Sequence, residues 1–287
     1  MTDSVKEELG KYMLIRHLAT GGMAEIWLAE QEGPGGFNKQ LVIKRVLPHL
    51  AQDSQFTQMF LDEARLVAQL AHPNIGQIYE LGEIQGSYFI AMEYIEGIDG
   101  SVMLESLTAR KQRLPIGLAV YITDQVLQAL DYAHNFMDRD GNFVGLVHRD
   151  VTPHNVIISN DGVIKLVDFG VAKARANQSK TQTGAVKGKF AYMAPEQILG
   201  LNDQIDARTD TWALGVTLYQ MLTGALPFSG PTISTIGEQI LHLDPALPRH
   251  RVNGIPRDLE AICLKSLERG QERRYQDGEA MAADLRR

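Results

Sequence analysis

His148-Arg149-Asp150-Val151-Thr152-Pro153-His154-Asn155, followed further on by Asp168-Phe169-Gly170, are the stretches that decide the fold. They set two acids and an amide on loops that bracket a short predicted hairpin, strands at Val156–Ile158 and Ile164–Val167. Oxygen donors of this kind suit Mg²⁺, a hard cation held by one or two carboxylates together with substrate phosphates. Moving a phosphoryl group asks for alignment, positive charge on the phosphates and a carboxylate to orient the attacking hydroxyl. Taken singly, each acid reads more readily as a solvated loop aspartate, and each short string recurs by chance.

Working outward, the first third reads as strands at Tyr12–Leu18, Ala24–Glu30, Lys39–Val46, Gly76–Ile84 and Ser87–Tyr94. Turn-forming Gly33-Pro34-Gly35-Gly36 separates two of them. A helical pattern from about Asp53 to Ala71 interrupts the strands, with Phe56, Phe60, Ala64, Val67, Ala68 and Leu70 approximating one apolar face. Beyond this the chain turns helical, at Ile116–Ala133, Thr209–Thr223 and Pro256–Leu267, and Met281 and Leu285 share a face near its end. A sheet-rich part followed by a helix-rich part predicts two lobes meeting near Glu93–Gly97.

Composition excludes other classes. The 287 residues are 44% hydrophobic and 22% charged, with a formal net charge of -7, which argues against a nucleic-acid partner. Cys263 is the single cysteine, so no internal disulfide forms, and it reads as a small buried residue. Neither a signal peptide nor an apolar run long enough to span a membrane is present, so the expected location is cytoplasmic. That expectation includes the cytoplasmic domain of a longer, membrane-tethered protein.

What defeats chance is the order of the strings. The sequence resembles the eukaryotic-type serine/threonine protein kinases of bacteria over about residues 12 to 287. Leu41-Val-Ile-Lys44 resembles the V-A-I-K strand, Ala194-Pro195-Glu196 the A-P-E motif, and Asp210-Thr-Trp-Ala-Leu-Gly215 the D-x-W-x-x-G helix. The resemblance implies an α+β, bilobal protein kinase fold: a small antiparallel N-lobe (12–93) with one long helix, a hinge (94–97) and a larger, mainly helical C-lobe (98–287). It implies ATP and Mg²⁺ as cofactors and serine or threonine of other proteins as acceptor. By it Lys44 holds phosphates and pairs with Glu63, Asp150 is the catalytic base, and Asn155 and Asp168 hold Mg²⁺. Leu18, Ala19, Thr20, Gly21, Gly22, Met23 and Ala24 would cover the phosphates. Ile26, Val42 and Ile157 would sandwich adenine, with Met92 as gatekeeper and Glu93 and Ile95 as hinge contacts. His148, with Val67, Ile78 and Phe169, becomes a packed structural residue, and Arg274 the partner of Glu196. Thr181 and Thr183 are expected autophosphorylation sites, which raises a homodimer for trans-phosphorylation.

Four departures from the family pattern stand out. Of its loop glycines only Gly21 is kept, with Ala19 and Ala24 at the flanking positions, so slower or weaker nucleotide binding is expected. The catalytic-loop lysine of the family is Thr152 here, and the threonine before its A-P-E motif is Lys189, which suggests that the two have exchanged roles. An extra stretch, Met137 to Asn142, has acids at calcium-loop spacing but Arg149 at the twelfth position, so it reads as a turn at Asp140-Gly141. The alternative to an active enzyme is a pseudokinase that binds nucleotide or a partner.

Overall fold

The structure is a computed structural model and describes residues 7–169 and 188–287, for Glu63 the backbone alone. Thr181 and Thr183 lie outside the described residues. By its contacts the chain forms two compact units, one ending at Glu96 and the other containing Gly97 onward, with Pro73–Ile75 belonging to the second.

The first unit is built on one antiparallel sheet of six strands: β1 (Glu7–Leu9), β2 (Tyr12–Thr20), β3 (Ala24–Glu32), β4 (Asn38–Val46), β5 (Ile78–Ile84) and β6 (Ser87–Glu93), ordered β1-β2-β3-β4-β6-β5. Side chains alternate between the faces of a strand, and this decides where everything goes. Leu41 and Ile43 of β4 join Tyr12, Leu14, Ala29, Phe89 and Ala91 in a buried cluster on one face. On the other, Val46 and Ile90 pack against Phe56, Phe60 and Ala64 of a helix, Ser54–Val67. A short helix, α1 (Pro48–Ala51), precedes that longer one, α2. Asp53 caps α2, its carboxylate accepting the N–H groups of Gln55 and Phe56 at 3.0 and 3.1 Å.

α2 stops earlier than its periodicity predicts. After Val67 the chain closes with tight i→i+3 bonds, Gln69 N–H to Leu66 O and Leu70 N–H to Val67 O. Ala68, expected on the apolar face, is therefore exposed, while Leu70 is buried. The chain then bends into the second unit, where Asn74 Nδ2 donates to Ile164 O at 2.8 Å and Ile75 bridges Leu166.

The second unit holds a three-stranded antiparallel sheet, β7 (Gly97–Asp99), β8 (Val156–Ser159) and β9 (Ile164–Leu166), among helices. These are α3 (Gly100–Ala109), α4 (Ile116–His134), α5 (Pro195–Ile198), α6 (Ala207–Thr223), α7 (Ile233–His242), α8 (Pro248–Arg251), α9 (Arg257–Ser266) and α10 (Gly278–Arg286). α6 is buried nearly all round, including Trp212, Leu214, Val216 and Tyr219, as a central core helix must be. Cys263 is fully buried, and burial pushes its thiol pKa up. The 137–142 stretch is a turn: Asp138 accepts the N–H groups of Asp140 and Asn142, and Met137 bridges Phe143.

Candidate active site

In the first unit the site residues are brought together by register. β3 pairs with β4 so that Ile26 faces Lys44, and β4 pairs with β6 so that Lys44 faces Ile90 and Val42 faces Met92. Directly opposed residues share a face, as do residues two apart on one strand. Ile26, Val42, Lys44 and Met92 therefore line one side of the sheet, and all four are only half-buried. α2 covers part of the same face, and Glu63 lies on it next to buried Ala64. Glu93 donates its backbone N–H to Gln77 O at 2.8 Å, so that N–H is not the group an adenine would use; Ile95 is half-buried just beyond.

The hairpin of β2 and β3 carries Leu18 to Ala24. Leu18 sits in a bulge between His17 and Ala19, and Ala19, Thr20, Gly21 and Gly22 are all exposed. One backbone bond, Gly21 N–H to Ala24 O at 2.9 Å, closes the tip, while Leu47 N–H to Met23 O anchors its return. Neither glycine has a positive φ. A Cβ on Gly21 would meet only Ala24 O at 3.6 Å, and one on Gly22 would meet nothing within 4 Å. The hairpin itself does not demand glycine at either place.

In the second unit the loop from His148 to Asn155 hangs from α6. Asp210 accepts the N–H of His148 at 2.7 Å on one carboxylate oxygen and the N–H of Arg149 at 2.8 Å on the other. The first oxygen also receives His134 Nε2 at 2.8 Å, and Asp210 and His148 are wholly buried. His148 Nδ1 accepts the N–H of Asp150, so its Nε2 carries the proton that goes to Val167 O at 3.1 Å. Its ring also lies against Phe169, centroids 4.5 Å apart. Both nitrogens are thus committed to holding backbone, which is a packing role.

Asp150 gathers the polar groups. Its Oδ2 accepts from Asn155 Nδ2 at 3.0 Å and from Lys189 Nζ at 3.0 Å. Asn155 Nδ2 also donates to Asp150 O at 2.7 Å, which fixes the amide with its Oδ1 on the other side. Val167 N–H donates to Asn155 O at 2.9 Å and so ties the Asp168 segment to the loop. Thr152 is 1% exposed, and its hydroxyl has no hydrogen-bond partner among the described residues. Arg149 Nε is likewise buried without one among them. Ile157 is half-buried on β8.

Backbone conformation marks the same residues. Among the described non-glycine residues with positive φ are Gln85 and Lys111, in turns, and Arg149 (66°) and Asp168 (63°), in these loops. Left-handed backbone at a residue with a Cβ costs energy and persists where the surroundings over-determine it, as at functional sites. Downstream, Glu196 and Arg274 form a two-bond pair at 2.8 and 2.9 Å with the arginine side chain fully buried. Burial raises the Glu196 pKa, but the hydrogen bonds and charge of Arg274 outweigh it and hold the carboxyl below its ordinary range. Sequence reading missed Asp206 as the cap of α6, and α3 and α7 altogether, although Asp99 and Thr232 cap those helices by side-chain bonds that the sequence pattern advertises.

Comparison with known proteins bears on the family and the fold. The family model described as "Protein kinase domain" matches residues 12–284. A protein named tyrosine-protein kinase MasK, of Myxococcus xanthus, is 44% identical over 96% of this chain and 42% of its own length. The serine/threonine-protein kinase PknB of Mycobacterium leprae is 37% identical over 96% of this chain and 42% of its own. PrkC of Bacillus subtilis is 34% identical over 96% and 40%. The chain thus spans about two fifths of the length of these relatives. The solved kinase domain of PknI from Mycobacterium tuberculosis superposes with a TM-score of 0.72 at 26% identity, covering 100% of this chain and 99% of that one.

Proposed function

The chain belongs to the protein kinase domain family, and on that premise we propose that it transfers the γ-phosphate of ATP to serine or threonine hydroxyls of proteins. The observation that carries the reading is the cluster at Asp150: a carboxylate held by Asn155 and Lys189, on a loop that Asp210 fixes at two consecutive amides. In the step, the acceptor oxygen forms a bond to the γ-phosphorus while the bond to the β,γ-bridging oxygen breaks. That electron pair leaves with ADP, and the acceptor's proton passes to the Asp150 carboxylate and on to water. Binding through Lys44 and the hairpin tip would orient the phosphates, and the free tolerance of that tip for a Cβ supports glycine being kept there for a ligand.

Family membership implies use of ATP with a divalent cation; Mg²⁺ is the cation proposed here. Bound, it supplies positive charge on the phosphates. The residues fit it: Asn155 spends its nitrogen on Asp150 and presents Oδ1, and Asp168, positioned by the Val167–Asn155 bond, adds a carboxylate. No helix among the described residues is long and apolar enough to cross a membrane; a cytoplasmic location, where ATP is at hand, is part of the proposal.

Labelled ATP, Mg²⁺ and a generic basic protein substrate make the test. Asp150→Asn is expected to lower turnover by about a thousandfold, the range for a lost general base, with nucleotide binding retained. A wild-type protein that binds ATP and never transfers phosphate would establish the pseudokinase instead. Tyrosine as acceptor is the second reading, favoured by the 44% identity to a protein so named; phosphoamino-acid analysis of the product decides it. Autophosphorylation is expected at Thr181 or Thr183, between molecules and hence faster at higher concentration. Arg149, whose buried Nε has no partner among the described residues, is the group proposed to engage a phosphate there. Mass spectrometry that finds both threonines unmodified after incubation with ATP would refute it.

A further inference from the structure

Lys189 is placed where a stability role does not explain it. Its ammonium is 3.0 Å from Asp150 Oδ2, yet its side chain is 39% exposed against 14% for the aspartate. An ion pair so open to solvent adds little to stability, since water screens it and two side chains must be held still. Its backbone, by contrast, is firmly placed. Tyr192 N–H donates to Lys189 O at 3.1 Å, and the Tyr192 hydroxyl donates to Gln220 of α6. Gln197, just beyond, bonds both Ala194 N–H and Arg149 O, tying this segment to the catalytic loop. The protein therefore spends fixed backbone on delivering a solvent-facing cation to the oxygen of its base.

An ammonium has three N–H donors in a compact charge. One goes to Asp150. The other two have no acceptor among the described residues, which suits a group meant to meet phosphoryl oxygens. The second observation is independent. Thr152, two residues after Asp150, buries a hydroxyl with no partner among the described residues, at 1% exposure. Buried hydroxyls are nearly always satisfied, so an orphan two residues after the base in sequence asks what satisfies it. The Lys189 ammonium, with one of its three donors on Asp150, has the donors to do so.

We propose that Lys189 is a catalytic residue: its ammonium bridges Asp150 and the transferring γ-phosphoryl group, and the Thr152 hydroxyl is the positioning group that receives it as the phosphate is engaged. This rests on the phosphotransfer reading above. The lysine makes and breaks no bond. It neutralises charge on the phosphoryl oxygens while the acceptor oxygen bonds to phosphorus and the bridging oxygen departs with ADP. Preorganised charge of this sort accounts for about a hundredfold to a thousandfold in turnover when a single donor is removed. The chain would then take its phosphate-facing cation from the segment before Glu196 instead of from the catalytic loop, so turnover would depend on that segment being seated.

The experiment is a mutant cycle with two readouts, turnover and nucleotide preference. Lys189→Thr, and Lys189→Gln as the variant that keeps a donor without charge, are expected to lose about a hundredfold in kcat with KM for protein substrate little changed. Thr152→Val is expected to melt no lower than wild type, because it removes an unpaired buried hydroxyl, and yet to lose about tenfold in kcat. The double change Lys189→Thr with Thr152→Lys is expected to regain at least about tenfold over Lys189→Thr alone. Separately, binding of Mg²⁺ with a non-hydrolysable ATP analogue is compared with Mg²⁺ and ADP. Wild type should favour the triphosphate, and both Lys189 variants should lose that preference. Lys189 variants that turn over like wild type and keep the preference overturn the proposal, as does a double mutant no better than the single. A wild type that transfers no phosphate but shows a triphosphate preference dependent on Lys189 would overturn the kinase reading and leave the lysine assignment standing.

Discussion

Two loops of this molecule serve the same proposed reaction and are built in opposite ways. The hairpin tip from Leu18 to Ala24 is exposed and closed by one backbone bond, and its glycines meet nothing that requires them. The loop from His148 to Asn155 is held at consecutive residues by a buried carboxylate, carries a left-handed arginine, and is closed again by Asn155 against Asp150. The first is held by few of its own contacts and leaves room at its glycines. The second is finished before anything binds, as groups that stabilise a transition state must be.

The contrast breaks most visibly at Asp210. Asp210→Ala leaves three buried donors, His148 N–H, Arg149 N–H and His134 Nε2, without their acceptor. At roughly 1–3 kcal/mol for each, a loss of about 5 kcal/mol in unfolding free energy is expected from denaturant titration. Turnover should fall with it by about a hundredfold or more, since small misplacements of aligned groups are that costly.

Next in size is the pair of Glu196 and Arg274. Removing one partner of a buried ion pair costs about 3–5 kcal/mol, so Glu196→Ala is expected to melt well below wild type. The sign with pH follows from the depressed carboxyl. A glutamate whose folded pKa lies below its ordinary 4.5 contributes stability above that value and loses it as pH falls through the folded one. Wild-type stability should therefore drop on acidification below about pH 4.5, and Glu196→Ala should show a shallower drop across the same window. Equal slopes would mean that the pair does not carry the acid sensitivity.

The smallest effect sharpens the comparison by setting glycine against glycine. A Cβ on Gly97, at the start of β7, would fall 2.1 Å from Ile158 O, so Gly97→Ala must push two paired strands apart. A cost of about 2 kcal/mol is expected. Gly21→Ala should change stability by less than about 0.5 kcal/mol, as substitutions away from packed features do. Its effect should appear as a raised KM for ATP in the same preparation. A stability loss at Gly21 as large as at Gly97 would erase the distinction between a loop shaped for its ligand and one shaped by its neighbours.

Much of this was legible in the residues. The alternation in Leu41-Val-Ile-Lys44 places Lys44 opposite the buried face, and the strands at Tyr12 and Ala24 and the helices at Ile116 and Thr209 stand within a few residues of their predicted bounds. The less legible parts have physical causes. The periodicity of α2 ran on past Val67 because Leu70 is buried outside the helix, and nothing local distinguishes it from a helical apolar position. Helices α3 and α7 were missed because their apolar stripes are short, although Asp99 and Thr232 marked their starts.

What the sequence determined by itself was the ordered set of motifs and the longer strands and helices, because each of these depends on residues a few positions apart. The tertiary structure alone decided that Asp210 grips the loop 62 residues before it, and that Lys189 reaches Asp150 across 39. It also decided that the hydroxyl of Thr152 lies in the interior with no partner among the described residues. Contacts at such separations are set by how whole elements pack, and burial turns an ordinary aspartate into a pin and an ordinary threonine into an unsatisfied group, while the lysine is delivered to Asp150 from a solvent-facing position.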